Sequence, residues 1–254
     1  MKIALCHVDV SRGPQAKNLQ LLARAARLAA QQGARWVITP ETAVQGYYFY
    51  KIGRDVQILE QPSPELDALR DLCREYKLHL FLGCGEYDKQ QQKYFNSCIV
   101  LGEDGAVRGR QRKIFNTGGA EGWATPGDSL NVIACGALKV GVLVCADAWF
   151  AENPAALKRQ GADVLIDIAA WPPTEICGDP LPSWINVSRV TGLPFFLCNQ
   201  TGNTEWMDMT VGQSAVISGG ELQLAYSGEQ AVLLFDYDFA ARRATSVGFD
   251  VTLL

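Results

Sequence analysis

The feature that most restricts the fold is a series of short apolar runs, several of them separated by amphipathic segments. Residues 2–8 (KIALCHV), 34–40 (ARWVITP) and 138–144 (LKVGVLV) have the length and β-branched content of buried strands. Residues 15–32 and 181–191 instead repeat apolar side chains at helical spacing. Strands that alternate with helices in this way predict an α/β fold.

The remaining segments extend this prediction. Helices are expected over 64–76, with Ser63 as the N-cap, and over 154–160. Further strands are expected over 79–84, 95–101, 106–114, 132–135, 163–169, 194–199, 214–218, 219–226 and 231–238. No linker-like or low-complexity stretch interrupts them. The sequence therefore predicts one domain over residues 1–254, with mixed sheets covered by helices.

The net charge, the apolar runs and the placement of the cysteines indicate which partners and which cellular location to expect. The net charge of −4 gives no reason to expect a nucleic acid or an anionic membrane as partner. No run approaches the ~18 apolar residues of a spanning helix, and the N-terminal run closed by Asp9 is too short for a signal peptide. The eight cysteines are scattered, mostly within strand-like runs, which predicts reduced thiols and a cytoplasmic location.

Several catalytic classes are excluded by what the sequence lacks. The two histidines, His7 and His79, lie in or beside strand-like runs, and there is no CxxC, HExxH or other metal-ligand spacing. There is no GxSxG elbow or P-loop, and GCGEYD at 83–88 lacks the third glycine of a dinucleotide-binding loop. We therefore expect neither a metal nor a cofactor. A protease-like cysteine–histidine pair would have to use one of these two strand histidines, so the sequence does not favour this catalytic class.

Three reactive side chains stand at the ends of strand-like runs. Glu41 follows WVITP, Lys113 follows AVRGRQR, and Cys145 follows VGVLV. Taken alone, each fits a structural role: a helix first-turn acid, a solvated hairpin residue and a buried thiol. Because sites in open α/β sheets assemble at strand ends, the three side chains can instead converge on one site.

This combination carries a resemblance to a known family. The segments TPETAVQGY (39–47), RKIF (112–115) and GVLVCADAWFAE (141–152) resemble the three signature segments of the nitrilase, or carbon–nitrogen hydrolase, superfamily. Residues 121–128, 183–202 and 212–239 extend the likeness nearly end to end. The resemblance implies an αββα sandwich of two mixed sheets and a Glu–Lys–Cys triad.

Each member of the triad has a role that follows from its chemistry. Cys145 is the candidate nucleophile, and Glu41 is the base that takes the thiol proton. Lys113 and the backbone N–H of Ala146 are the candidate donors to the oxyanion.

Other residues are matched to the family pattern. Glu121 matches a second glutamate that orients the lysine, although a loop acid is the alternative. Asp147 and Glu152 are expected to tie the loop after Cys145 and to cap the following helix. Asn199 is expected to support the substrate pocket, or else to end a strand.

The residues after the nucleophile favour the amidase side of the superfamily. Nitrile-cleaving members carry Trp-Glu after the cysteine, whereas this chain has Ala146-Asp147, and residues 147–150 are similar to carbamoylputrescine amidases. An aromatic wall can hold a substrate ammonium, and Trp149 also fits a place in the core. The candidate wall residues are Tyr47, Tyr48, Trp149 and Trp171.

The expected function is hydrolysis of a small amide or carbamoyl-amine through a cysteine thioester, with release of ammonia. The alternatives are a carbamoylputrescine-type amidase, nitrile hydrolysis, or a binding protein that keeps the fold without turnover. A Schiff base on Lys113 would leave Glu41 and Cys145 without a role. The resemblance also implies a homodimer or a higher homo-oligomer.

Overall fold

Two stacked sheets form the centre of the structure, a computed structural model that describes residues 1–53, 56–175 and 178–254. The helices are α1 (Gln15–Gln31), α2 (Asp67–Tyr76), α3 (Glu152–Arg159) and α4 (Leu181–Thr191). The strands are β1 (Lys2–His7), β2 (Trp36–Ile38), β3 (His79–Asp88), β4 (Lys93–Leu101), β5 (Val107–Arg112), β6 (Val132–Cys135), β7 (Leu138–Val144), β8 (Val164–Ala169), β9 (Phe195–Asn199), β10 (Ser214–Ser218), β11 (Glu221–Tyr226), β12 (Ala231–Asp238), β13 (Arg243–Ala244) and β14 (Asp250–Leu253).

Both sheets are mixed. One has the strand order β13-β12-β1-β2-β3-β4-β5, with β14 also paired to β12, and the other has the order β11-β10-β9-β8-β7-β6. Strands β1, β2 and β3 are parallel to one another, as are β7, β8 and β9, and the outer strands pair antiparallel. This is the mixed-sheet arrangement expected from the sequence.

Three apolar layers hold the sheets and helices together. Side chains from both sheets, such as Phe81 and Ile166, pack between them. Helices α1 and α2 cover the outer face of the first sheet, and α3 and α4 cover the outer face of the second. The chain is therefore an αββα sandwich, as predicted.

Two details of the helices differ from the prediction. Ser63 does not cap the helix with its side chain, because a single 3-10 turn, Pro64–Leu66, precedes α2 and the Ser63 N–H bonds to the Gln61 side chain instead. Helix α3 begins at Glu152, two residues earlier than expected, since a proline in the first turn sacrifices no helical hydrogen bond. Glu152 is therefore not the cap expected from the sequence, because Ala151 holds the N-cap position and no side chain makes a cap hydrogen bond. As the first helical residue, Glu152 contributes a negative charge to the first turn.

The strands also differ in length. Strand β3 continues to Asp88 because β4 pairs with it along its whole length, whereas β2 ends at Ile38, two residues early. Strands β13 and β14 are not predicted from the sequence, because they are only two and four residues long; both pair with β12.

The described cysteines are seven buried free thiols, and Cys177 lies outside the described residues. In the described ranges, no helix combines the length and the apolar character needed to cross a membrane.

Gly83 permits the close approach of strand β3 to the segment that carries Glu41. A Cβ atom at this position would lie 2.0 Å from the carbonyl oxygen of Pro40. The Gly83 N–H donates to Thr39 Oγ1 at 3.0 Å, and its carbonyl accepts the Val44 N–H at 3.2 Å. Gly83 thereby fixes both sides of Glu41.

We predict that Gly83→Ala lowers the free energy of unfolding by about 1–3 kcal/mol, because the added methyl group overpacks the Pro40 carbonyl. Gly248→Ala is the matched control, since a Cβ there meets no atom within 4 Å. Urea unfolding of both variants checks this. Equal stability of the two variants would contradict the tight approach.

Candidate active site

The carboxyl ends of several strands meet at one edge of the sandwich. Glu41 follows β2, Cys145 follows β7, and Trp171 follows β8. Strand β5 is antiparallel to β4, which is antiparallel to β3, so β5 runs in the same direction as β3 and Lys113 lies at the same edge. The topology accordingly brings together side chains that are far apart in the sequence.

Glu41 is fully buried, and both of its carboxylate oxygens have partners. Asn96 Nδ2 donates to Oε1 at 2.7 Å, and the Ala170 backbone N–H donates to Oε2 at 3.1 Å. Its backbone carbonyl accepts Gln200 Nε2 at 2.6 Å. Burial raises the pKa of Glu41 above its ordinary value, although the neighbouring Lys113 opposes the shift.

Lys113 is the cation between two buried carboxylates. Its Nζ lies 2.7 Å from Glu41 Oε1 and 2.6 Å from Glu121 Oε1. The side chain starts from a fixed backbone, because the Lys113 N–H donates to the Asn96 carbonyl at 2.8 Å. Burial disfavours the ammonium, but the negative charges of Glu41 and Glu121, joined by Cys145 when its thiol is ionised, outweigh it and hold the pKa of Lys113 well above its usual value.

Glu121 ends the 3-10 turn Gly119–Glu121 and is 1% exposed, so it is not a solvated loop acid. Besides Lys113, its Oε1 accepts the hydroxyl of Tyr47 at 2.8 Å. Asn116 Nδ2 donates to the Glu121 backbone carbonyl at 3.0 Å. Glu121 therefore orients Lys113 on the side opposite Glu41.

Cys145 begins the turn Cys145–Trp149 with a φ of 54°, a left-handed conformation that is uncommon for a non-glycine residue. Its side chain is 5% exposed. Burial raises the pKa of the thiol well above its ordinary value; Glu41 raises it further, and Lys113 lowers it. The resting thiol is thus protonated and lies within electrostatic reach of both groups.

The turn after Cys145 also supplies backbone donors and a structural carboxylate. Ala146 is its second residue, where a backbone N–H has no acceptor within the turn. Asp147 accepts the N–H groups of Ile114, Phe115 and Val144 at 2.8–3.2 Å. Asp147 thus ties the segment after Lys113 to the strand before Cys145, as expected.

Two tryptophans stack beside the turn after Cys145, Trp149 from the turn itself and Trp171 from the segment after β8. The rings of Trp149 and Trp171 stack with centroids 5.2 Å apart, and Trp149 is 51% exposed, so it does not pack in the core. Asn199 Oδ1 accepts the Trp171 N–H at 2.9 Å, and its Nδ2 donates to the Trp171 carbonyl at 2.8 Å. With both ends of its amide engaged, Asn199 supports Trp171 and is not placed as a direct contact for a substrate.

A second aromatic group adjoins Glu121. The Tyr47 and Tyr48 rings meet edge to face at 5.1 Å, and Tyr48 also contacts Trp206 at 5.0 Å. The ammonium of Lys51 lies 5.5 Å above the Trp206 ring. Of this group, Trp206 and Lys51 were not singled out from the sequence.

Sequence analysis also missed Asn96 and Gln200, which hold Glu41. Asn96 lies inside an apolar strand, where a polar side chain signals a buried hydrogen bond. Its partner is 55 residues away, so the sequence could not identify it. Across the described ranges, no group of three or more His, Cys, Asp or Glu side chains could hold a metal ion.

Comparison with known proteins agrees with this geometry. The family model of the carbon-nitrogen hydrolases matches residues 2–231. The chain belongs to this family. It is similar to a nitrilase from Pyrococcus abyssi, with 32% identity over 153 residues that cover 59% of this chain and 57% of that protein.

Other carbon-nitrogen hydrolases match over more of their length. An N-carbamoylputrescine amidase from Solanum tuberosum is 28% identical, over 97% of this chain and 87% of its own. The amidase from Nesterenkonia sp. AN1 superposes with a TM-score of 0.83 at 24% identity, and the match covers 96% of both chains. This solved neighbour therefore shares the fold described above.

We predict that Asn96→Ala moves the acid limb of kcat/KM to higher pH. Asn96 donates to the charged form of Glu41 and so lowers its pKa; without that bond the already raised pKa rises further. Since the base must be deprotonated to act, activity is then lost at a higher pH as the pH falls.

Ser97→Ala is the control, because Ser97 Oγ donates to Glu86 and not to Glu41. The pH dependence of kcat/KM for both variants and the wild type checks the prediction. An unchanged acid limb in Asn96→Ala would show that Glu41 is not the titrating base.

Proposed function

We propose that this carbon-nitrogen hydrolase cleaves the C–N bond of a small amide or carbamoyl-amine through a thioester on Cys145, releasing ammonia. The observation that carries the proposal is the contact of Lys113 with both Glu41 and Glu121 beside the strand end that bears Cys145. A nucleophile, a base and a fixed positive charge are the groups that acyl transfer requires.

In the first step, the Cys145 proton passes to Glu41 as the sulfur bonds to the carbonyl carbon. Burial favours the neutral form of Glu41, which makes the carboxylate a stronger base than a solvated one. The carbonyl oxygen becomes an oxyanion that accepts hydrogen bonds from Lys113 and from the Ala146 N–H. A preorganised donor of this kind contributes ~3–4 kcal/mol to lowering the barrier.

Collapse of the tetrahedral intermediate breaks the C–N bond. Glu41 gives its proton to the departing nitrogen, ammonia leaves, and the acyl group remains on sulfur as a thioester. Water then gives a proton to Glu41 and attacks the same carbon. The C–S bond breaks, sulfur recovers the proton from Glu41, and the acid product leaves.

The turn after Cys145 supports an amide over a nitrile substrate. Nitrile-cleaving members of the superfamily carry Trp-Glu directly after the cysteine, whereas this chain has Ala146-Asp147, and Asp147 accepts three backbone N–H groups. In the Nesterenkonia amidase, acrylamide adds to the active-site cysteine, and the acetamide moiety of fluoroacetamide adds covalently to the same cysteine of another variant. Small amides are therefore the first substrates to test on Cys145.

The aromatic pair next to Cys145 supports contacts with the substrate tail. Trp149 offers an exposed ring face and is backed by Trp171, which Asn199 holds in place. Tyr47 adjoins the site next to Glu121, to which its hydroxyl donates a hydrogen bond. A cationic tail gains cation–π attraction on such a wall, so carbamoyl-amines of diamines belong in the substrate panel.

The test is an ammonia-release screen over aliphatic amides, ω-amides such as glutaramate, carbamoyl-amines and nitriles. We expect turnover of at least one amide or carbamoyl-amine, and a fall of more than about 1000-fold in Cys145→Ala because the nucleophile is gone. Cys135→Ala, which removes a buried thiol from β6, should keep its activity.

Two results would refute the proposal. One is turnover by Cys145→Ala at a rate near that of the wild type, while circular dichroism shows an intact fold. The other is hydrolysis of nitriles alone, which would place the chain on the nitrile-cleaving side of the superfamily.

A further inference from the structure

Asp167 is a carboxyl group in the middle of an apolar strand. It lies in β8, between Ile166 and Ile168, and is fully buried. Its side chain shares the outer face of the second sheet with Leu165 and Ala169, beneath helices α3 and α4. Burying a carboxyl group among apolar side chains is costly unless the group is hydrogen-bonded or paired with an opposite charge.

The contact made by Asp167 is with the backbone of the nucleophile. Oδ1 accepts the N–H of Cys145 at 2.7 Å. Within the described ranges, Oδ2 has no hydrogen-bond partner. Strands β7 and β8 are parallel, and the register pairs Leu143 with Asp167, so the carboxyl reaches the residue just beyond the end of β7.

The backbone at Cys145 needs such an anchor. Its φ of 54° is a left-handed conformation that costs a non-glycine residue of order 1–3 kcal/mol and persists only where its surroundings enforce it. The N–H of the preceding residue, Val144, donates to Asp147. The two carboxyl groups thus hold the consecutive N–H groups of Val144 and Cys145 where the strand ends and the left-handed residue begins the turn.

The balance of buried charges indicates whether Asp167 is protonated or ionised when it accepts the Cys145 N–H. Four carboxyl groups are buried here with one ammonium, that of Lys113: Glu41, Glu121, Asp147 and Asp167. Glu41 and Glu121 contact that ammonium, and Asp147 accepts three N–H groups. Asp167 has one N–H donor and a free oxygen, so it is the group best suited to carry a proton.

We propose that Asp167 is a positioning residue that acts through the Cys145 N–H, and that it contributes an acceptor oxygen and not a negative charge. It holds the left-handed backbone that presents the sulfur to Glu41 and Lys113. The inference rests on the proposed function of Cys145 as the nucleophile.

The electrostatics of the site agree with a neutral acid. Burial raises the pKa of Asp167 well above its usual value; the Cys145 N–H lowers it, Asp147 and Glu41 raise it, and Lys113 lowers it. A charged Asp167 would also raise the pKa of the Cys145 thiol and oppose formation of the thiolate. A neutral acid holds the backbone without that penalty.

Three substitutions distinguish a role for the acceptor oxygen of Asp167 from a role for its negative charge. Asp167→Asn keeps an acceptor oxygen and removes the ability to ionise, whereas Asp167→Val suits a strand but has no acceptor, and Asp167→Ala removes it with a smaller side chain. Leu165→Val is the matched control, because it trims the same face of β8 at the position that pairs with Gly141 and not at the end of β7.

Two readouts are measured on the full chain. The first is kcat and KM against pH on an amide substrate. The second is the rate at which iodoacetamide alkylates Cys145, followed by peptide mass spectrometry, which does not depend on turnover. Circular dichroism establishes the fold of each variant.

We expect Asp167→Asn to stay within about threefold of the wild type in kcat and in alkylation rate, with an unchanged pH profile, since one neutral acceptor replaces another. Asp167→Val and Asp167→Ala should lower kcat about 100-fold with little change in KM, because a misplaced nucleophile fails at the chemical step. Leu165→Val should alter stability alone.

Loss of activity in Asp167→Asn equal to that in Asp167→Val would overturn the proposal, because the charge would then be required. Wild-type kcat in a folded Asp167→Val or Asp167→Ala would overturn it too, since the acceptor would be dispensable. If no amide is turned over by the wild type, but alkylation of Cys145 changes in Asp167→Val and Asp167→Ala and stays within about threefold of the wild type in Asp167→Asn, the proposed function fails and the positioning role stands.

Discussion

The structure of the site depends on the Lys113 ammonium between two buried carboxylates. Glu41 approaches from the loop after β2 and Glu121 from a 3-10 turn, each within 2.7 Å of Nζ. Removal of one partner from a buried ion pair leaves an uncompensated charge and typically costs about 3–5 kcal/mol. The same ammonium moderates the pKa of both Glu41 and Cys145, so it links the position of the base to the reactivity of the thiol.

The sandwich supplies the frame for this cluster. Because parallel strands in both sheets end at one edge, the Glu41 carboxylate from one sheet and the Cys145 thiol from the other need only short connections to come together. Backbone donors then fix each group: Ala170 N–H on Glu41, and the N–H groups around Cys145 on Asp147 and Asp167. Among the described residues, the carboxyl oxygens of this buried network are hydrogen-bonded except Asp167 Oδ2, which holds the side chains in fixed positions.

The sequence predicts the parts of the site that follow a strand directly. Apolar runs ending at Glu41, Lys113 and Cys145 indicate the edge where these residues meet, and most strand bounds agree within a few residues. The partners that orient them are not predictable in this way. Asn96 and Asp167 lie inside strands, and their hydrogen bonds join segments 55 and 22 residues apart. A polar residue in an apolar run indicates a buried contact, but tertiary packing alone decides with which group.

The account rests on Cys145 forming a bond to the acyl carbon while Lys113 stabilises the oxyanion. Rapid-quench mass spectrometry during turnover of an amide tests this most directly. The account predicts an acyl group on the peptide that contains Cys145 in the wild type, and a much slower appearance of that adduct in Lys113→Arg, because the guanidinium fork does not reproduce the position of a point ammonium. Turnover without an acyl adduct, or acylation of Lys113→Arg at the wild-type rate, would contradict it.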